Sequence, residues 1–296
     1  MTLTNKYSLP QPIVDAIRND DYDPGDAYIT VSGLWKPPRI RALEQKHAHE
    51  LDYDAADGIF SLIGKSIHSI LERADTTAIV EERLYAELDG TRISGQFDRL
   101  VYSDEALQDY KVTSVWSVIY FDDTSDWTPK LNTYRWLLHQ NNIRNVNKLQ
   151  IIAILRDWRK REARVDSSYP QKQVVTVPIE VWPLDVTEKR IRERLQMHKD
   201  AETTLPLCTN DDRWISEDRY AVIKEGNKKA TKSFTSSAEA ATFLDSHKDS
   251  KKMRIEKRGG EPIRCLDYCS VGAQGFCSQW QADPQNAKEQ LKKEFI

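Results

Sequence analysis

The chain has no apolar run of membrane-spanning length, and its opening, MTLTNKYSLPQPIVDAIRND, has no hydrophobic core of a secretory signal. Those absences predict a protein of the reducing cytoplasm with no membrane association. Cysteine is scarce, at four residues, and in such a compartment thiols are expected to pack or to bind metal rather than to form disulfides. Charge of one sign is also lacking. With 43 basic against 46 acidic residues and a net charge of -3, a nucleic-acid surface would have to be built locally. The glycines do not assemble into a phosphate-cradling loop: Gly90, Gly95, Gly226, Gly259 and Gly260 match no Walker pattern. A built-in nucleotide motor is excluded on that ground. Nothing in the ordered part of the sequence resembles a Ser/His/Asp or Cys/His nucleophile set.

What is present describes a globular protein. At 296 residues with 39% hydrophobic side chains, the chain is long enough to bury a substantial core. Residues 1–50 read as irregular, with WKPPRIRAL as a Pro-stiffened basic segment followed by a polar helix-like stretch, an N-terminal helical segment to the core. Residues 58–74 predict an amphipathic helix whose buried stripe is Ile59, Ile63, Ile67, Ile70 and Leu71. Strands are expected at 79–89, at 148–156 and at 173–184, with a hairpin over 92–102 and 107–115. Helices are expected at 128–142, N-capped by Thr128 with Pro129 following, and at 185–203. After Pro206 the texture becomes β-rich, with one capped helix. The order implies an α/β core with a mixed sheet over 1–204 and a small α+β appendage over 205–296.

The stretch SGQFDRLVYSDEALQDYKVTS, residues 94–114, places Asp98, Asp109 and Lys111 where apolar residues could pack. With Asp104 and Glu105 as a two-residue turn, Leu100 faces Asp109 and Asp98 faces Lys111; Asp-Glu is not a preferred turn pair, and a longer loop of the same parity serves equally. Period-two alternation then puts all three charges on one face. Two converging carboxylates suit a hard cation such as magnesium, and a lysine beside them can offset charge on phosphate. The plainer reading is a solvated ion pair.

The wider pattern separates these readings. Gly64-Lys-Ser-Ile-His68, Gly95-Gln-Phe-Asp98, Asp109-Tyr-Lys111 and then Tyr134 on a following helix occur in order. This set resembles the RecB-like branch of the PD-(D/E)XK nucleases, phage-type exonucleases in particular. The resemblance spans roughly residues 58–140. It implies a restriction-endonuclease-like core, magnesium or manganese held by His68, Asp98 and Asp109, and Lys111 as the catalytic lysine. It also implies DNA as substrate, Tyr134 as a substrate contact, and a recombination or single-strand-binding protein as partner, in the cytoplasm of a bacterial host if phage-encoded. Lys130 stands where the family pattern has glutamine, and as a cation it would meet backbone phosphate. Glu82, with Glu81 and Glu87 competing, is the candidate for an additional acidic residue on the preceding strand.

Three of the four cysteines fall within thirteen residues, as C-x3-C-x7-C at Cys265, Cys269 and Cys277, with Cys208 upstream. Packing thiols, a structural zinc and a 4Fe-4S cluster all accommodate that set. Some RecB-like relatives hold an iron–sulfur cluster with one cysteine upstream of the core and three downstream; here Cys208 follows the whole motif set. Basic residues concentrate in RDWRKREAR (156–164), KEGNKKATK (224–232) and KKMRIEKR (251–258), each a candidate phosphate surface, with Trp158 placed to stack on a base. The expected activity is metal-dependent DNA hydrolysis by an exonuclease of recombination or repair. Its rivals are a catalytically silent DNA- or partner-binding module and a zinc-stapled interaction protein.

Overall fold

The structure, a computed structural model, describes residues 2–19, 23–121, 126–143, 146–227, 229–283 and 286. Two compact units result: Met1–Arg41 with Asp52–Leu205, and Ala42–Leu51 with Pro206–Ile296. Among the described residues no helix is long and apolar enough to cross a membrane.

The first unit opens with β1 (Thr2–Thr4), α1 (Gln11–Arg18), β2 (Ile29–Thr30), α2 (Val31–Leu34) and the start of α3 (Pro38–Lys46). The helical segment expected here is present, and the stretch before it, expected to be irregular, carries further short elements. Pro12 and Pro38 sit in the first turns of their helices, where the missing N–H has no intrahelical partner to lose. Then follow β3 (Asp52–Asp54), α4 (Ile59–Ala74), β4 (Ile79–Leu88), β5 (Thr91–Val101), β6 (Ala106–Thr113), α5 (Trp116–Ile119), α6 (Trp127–Gln140), β7 (Lys148–Leu155), α7 (Lys160–Val165), β8 (Val174–Ile179) and α8 (Leu184–Thr203). β1 pairs with β3, and the other six strands form one mixed sheet. Its path is β2-β5-β6-β7-β8, with β4 antiparallel to β5, β6 parallel to β7, and β8 antiparallel to β7. This is the mixed α/β core expected from the sequence.

Leu100, Leu107, Leu149 and Ile151 of the sheet and Leu131, Trp136 and Leu137 of α6 are fully buried in one core. Each contributes roughly 1.5–3 kcal/mol relative to exposure. α6 begins at Trp127 with Asp126 at its N-cap position, so Thr128 lies inside the helix rather than capping it, its hydroxyl buried without a partner. α4 departs further from expectation. None of its residues is buried, and Ile63 and Ile70 of the anticipated core stripe are exposed. The helix meets β6 through the side bearing His68, so the apolar stripe is rotated toward solvent.

α8 carries a buried histidine with no counterpart in the sequence reading. His198 Nε2 donates to the Leu34 carbonyl at 2.9 Å, while Nδ1 is buried without a partner. Burial pulls its pKa down to about 4 despite the Leu34 bond, and the charges of Arg194 and Arg41 add to the fall. Unfolded, the ring titrates near 6.5. The stability it contributes is thus whole above pH 6.5 and lost as pH falls toward 4, by up to about 3 kcal/mol. His198→Gln keeps a donor for Leu34 without titrating, so its urea midpoint should fall less steeply across that window. Parallel pH profiles for the two proteins would refute the assignment.

The second unit contains β9 (Arg219–Lys224), β10 (Lys232–Phe234), α9 (Ser237–Ser246) and β11 (Met253–Arg258), the strands forming an antiparallel sheet ordered β10-β9-β11. Two short helices follow, α10 (Ser270–Ala273) and α11 (Ser278–Gln281). Ala42–Leu51, read with the core in the sequence, belongs here by its contacts: Ser270 donates to Glu44, and His47 stacks on Phe276.

Candidate metal site

The centre of the site is a fault in the sheet. β4 runs along one edge of β5, so β2 and β6 share the other, pairing at Ile93–Ser94 and at Arg99–Val101 respectively. Asp98 sits in the interval between them. Its Oδ2 accepts the Tyr110 N–H at 2.6 Å, taking up a donor that the ladder leaves unpaired. The β5–β6 connection is the longer loop of the same parity rather than the two-residue turn: a tight helical turn over Tyr102–Asp104 is followed by Glu105 at φ 51°. Leu100 therefore faces Leu107 rather than Asp109, Arg99 faces Gln108, and one step beyond that pair brings Asp109, not Lys111, opposite Asp98. The shift is by two residues, so the face parity is kept.

On the other edge, Asp89 and Gly90 form the β4–β5 turn with φ of 50° and 70°. Counting outward from that turn sets Glu81 against Asp98, at the one rung missing between Val80↔Arg99 and Glu82↔Phe97. Glu81 has φ 48°, a left-handed conformation inside a strand that costs about 1–3 kcal/mol. Its carboxylate is held by Gln96, whose side-chain amide donates to Glu81 Oε2 at 3.1 Å while its carbonyl accepts from Arg83 at 3.0 Å. Glu82, the leading candidate from sequence, is exposed.

His68 of α4 completes the set. Nε2 lies 3.1 Å from the Tyr110 carbonyl oxygen, which can only accept, so Nε2 carries the proton. Nδ1 is left facing Glu81 Oε1 at 3.2 Å and Asp98 Oδ1 at 3.6 Å. His68, Glu81 and Asp98 offer donor atoms all within 4.8 Å of one another, and this is the one such group of three or more among the described residues. Together they could hold a metal ion. A backbone carbonyl that fixes the tautomer of the imidazole is a usual support for a histidine ligand.

Asp109 and Lys111 lie beside this group rather than within it. Lys111 forms an ion pair with Asp109 Oδ2 and donates to the Tyr110 carbonyl at 3.3 Å, while that Asp109 oxygen is buried without an aligned hydrogen bond. Burial pushes the Asp98 carboxyl up to about 7, helped by the charge of Asp109 and opposed by Lys111 and His68. For Lys111 burial acts downward, but Asp109 and Asp98 outweigh it and hold the ammonium above its ordinary value. The Glu81 hydrogen bond raises His68 against its own desolvation, with Asp98 adding to the rise. Buried negative charge in excess of its partners is the electrostatic state that a cation relieves.

The remaining sequence candidates are placed as follows. Tyr134 lies against β5: a Cβ on Gly95 would come within 2.7 Å of its ring and within 2.8 Å of Leu137. The glycine three residues before Asp98 thus admits α6 to the sheet. Lys130, one turn earlier on α6, pairs with Asp126 at 3.5 Å. Gly64, expected to permit close approach near His68, has no atom of the chain within 4 Å of its Cβ position. Trp158 is not a stacking platform, because its indole donates to the Pro170 carbonyl at 2.7 Å and packs on the core. In the second unit Lys224, Lys257 and Arg258 pair with Asp249, Asp218 and Glu256, which diminishes those basic runs; Lys228 lies outside the described residues.

No known protein family matches the chain, and no curated protein sequence does. Solved structures similar to it include the following two. One is the crystal structure of SSO0001, 14% identical, with a TM-score of 0.44 over 62% of this chain and 84% of that one. The other is a phage-related exonuclease from Haemophilus somnus 129PT, 17% identical, with a TM-score of 0.35 over 56% of this chain and 78% of that one.

Proposed function

We propose that the chain is a metal-dependent DNA nuclease, an exonuclease of recombination or repair. The observation that carries the reading is the convergence of His68, Glu81 and Asp98 on one small volume, with Asp109 and Lys111 adjoining it. His68, Asp98 and Glu81 would hold magnesium or manganese, with Asp109 as a further oxygen donor. Such an ion supplies Lewis acidity toward a phosphodiester. The chain's own part is to orient and to balance charge. Tyr110 anchors three groups through its backbone, its N–H holding Asp98 and its carbonyl holding His68 and Lys111. Lys111, kept protonated by two carboxylates, presents a cation to the phosphate and can give a proton to the departing oxygen. Tyr134 and Lys130 on α6 are assigned to the substrate strand. End-labelled linear, circular and single-stranded DNA incubated with magnesium, manganese or chelator tests the reading. Ion-dependent loss of label from linear DNA is expected, and inertness under all three conditions refutes it.

The same proposal includes a structural metal centre in the second unit. None of the four cysteines forms a disulfide, and Cys269 and Cys277 are buried. Gln279 clamps Cys208 through its backbone N–H at 2.8 Å and carbonyl at 2.9 Å, bringing it to the other three. Burial raises the Cys208 thiol to about 12, with Asp212 and then Cys277, Cys265 and Cys269 adding to the rise. Cys269 rises to about 11 by burial, although the Gly272 N–H on its sulfur opposes this. Two thiols held so high are inert as free groups, and metal binding converts cysteine ligands to thiolates by displacing the protons. A structural zinc and a 4Fe-4S cluster both accept four thiolates.

A further inference from the structure

Beyond Lys111, β6 runs on to Thr113 and leads into an aromatic surface that hydrolysis does not require. Trp116 and Tyr120, on and just after α5, are 55% and 74% exposed. They stack on each other, with centroids 5.7 Å apart and planes 14° from parallel. This pair is fixed to the end of the sheet. Ser114 Oγ and the Val115 N–H each donate to the Asp157 carboxylate at 2.7 Å, and the Arg156 N–H donates to the Thr113 carbonyl at 2.9 Å. Arg156 lays its guanidinium over the ring of Phe60 at 4.4 Å, and Phe60 is itself 63% exposed at the start of α4. Three chain segments therefore bring flat, solvent-facing rings and an arginine to the C-terminal ends of β6 and β7.

Rings of this size are ordinarily buried, since exposure forfeits their hydrophobic contribution. A cluster that remains exposed and is held by buttressing hydrogen bonds marks a contact surface. Its surroundings indicate the occupant. Arg156, Arg159, Lys160, Arg161 and Arg164 are all exposed along the connection after β7 and on α7, so the rings are flanked by cations. Aromatic faces beside a basic track suit unpaired nucleobases, which stack on any π-face while their phosphates follow the charge. Inside a duplex both faces of every base pair are covered by its neighbours, leaving only the terminal pairs with an open face. Trp116 is five residues past Lys111, at most about 17 Å away, a span of roughly five nucleotides at about 3.4 Å each.

We infer that the Trp116–Tyr120 ledge, with Phe60 and Arg156, seats unpaired bases of single-stranded DNA and leads that strand to the metal site. The second half of this statement rests on the nuclease reading. Fluorescence anisotropy with a labelled oligothymidylate and with a blunt duplex, both in chelator, measures the ledge without cleavage. The wild-type protein should prefer the single strand. Trp116→Ala and Tyr120→Ala should each weaken that binding by roughly five- to a hundredfold, Trp116→Phe should retain most of it, and duplex affinity should be unchanged. Manganese-dependent hydrolysis of bis(p-nitrophenyl) phosphate, too small to span the ledge, reports the metal site alone and should persist in the alanine variants. Equal affinity for both DNAs, or alanine variants that bind the single strand like wild type, overturns the inference even where hydrolysis proceeds. A change of oligomeric state with unaltered single-strand affinity overturns it too, making the ledge a contact between copies. Wild-type protein that binds the single strand but hydrolyses neither substrate removes the nuclease reading and leaves the binding ledge standing.

Discussion

Replacing Asp109 or Lys111 with alanine is expected to lower metal-dependent DNA cleavage by roughly 10²- to 10⁴-fold while the fold persists. Lys111 is the cation that offsets Asp98 and Asp109, and its side chain is 35% exposed, so its removal opens no core cavity. Without it, Asp98 loses a charge that holds its pKa down and is drawn further toward the protonated form, which binds metal poorly. Asp109→Ala acts from the other side. It relieves like-charge repulsion on Asp98 but frees Lys111 from its partner and removes an oxygen donor. Both should therefore act on turnover rather than on DNA affinity, which the basic surface sets. Thermal melting separates loss of function from loss of structure: melting temperatures near wild type with cleavage reduced at every magnesium concentration are expected. Wild-type cleavage rates in both variants would remove the pair from the mechanism.

The second large effect is expected from Cys265→Ser, which should unfold or precipitate the second unit before it touches catalysis. Structural thiolate centres contribute binding free energy directly to folding, about 10–16 kcal/mol for zinc in small peptides. That is as large as the whole stability of a typical domain, about 5–15 kcal/mol. The cysteine region is built from short helical turns tied by the Gln279 clamp on Cys208, the Trp280 indole on the Cys265 carbonyl and the Arg213–Asp283 ion pair, so a metal shared by its cysteines would be its main staple. Anaerobic purification with elemental analysis identifies the centre: iron with acid-labile sulfide and a brown colour marks a cluster, and zinc without colour a tetrahedral site. Either result keeps the metal staple. Stable, metal-free wild-type protein would reduce the cysteines to packing residues.

The sequence by itself determined the elements and the parity of the site. β-strand alternation and the order of the acidic motifs put Asp98 and Asp109 on one face whether the loop held two residues or four, because a change of two leaves parity intact. The Asp89-Gly90 pair was a further legible signal, since that dipeptide favours a two-residue hairpin turn; counted outward, it sets Glu81, not Glu82, against Asp98. Other features were decided only by the tertiary structure. The donation of the Tyr110 N–H to Asp98 depends on β2 giving way to β6 along one edge of β5, a pairing between segments some sixty to eighty residues apart, which no local pattern encodes. The apolar spacing of α4 announced a helix correctly but not which side would meet the sheet. That was set by His68 reaching the Tyr110 carbonyl, and it left Ile63 and Ile70 in solvent. Periodicity gives the angular width of an apolar stripe, whereas burial depends on what the rest of the chain places against it.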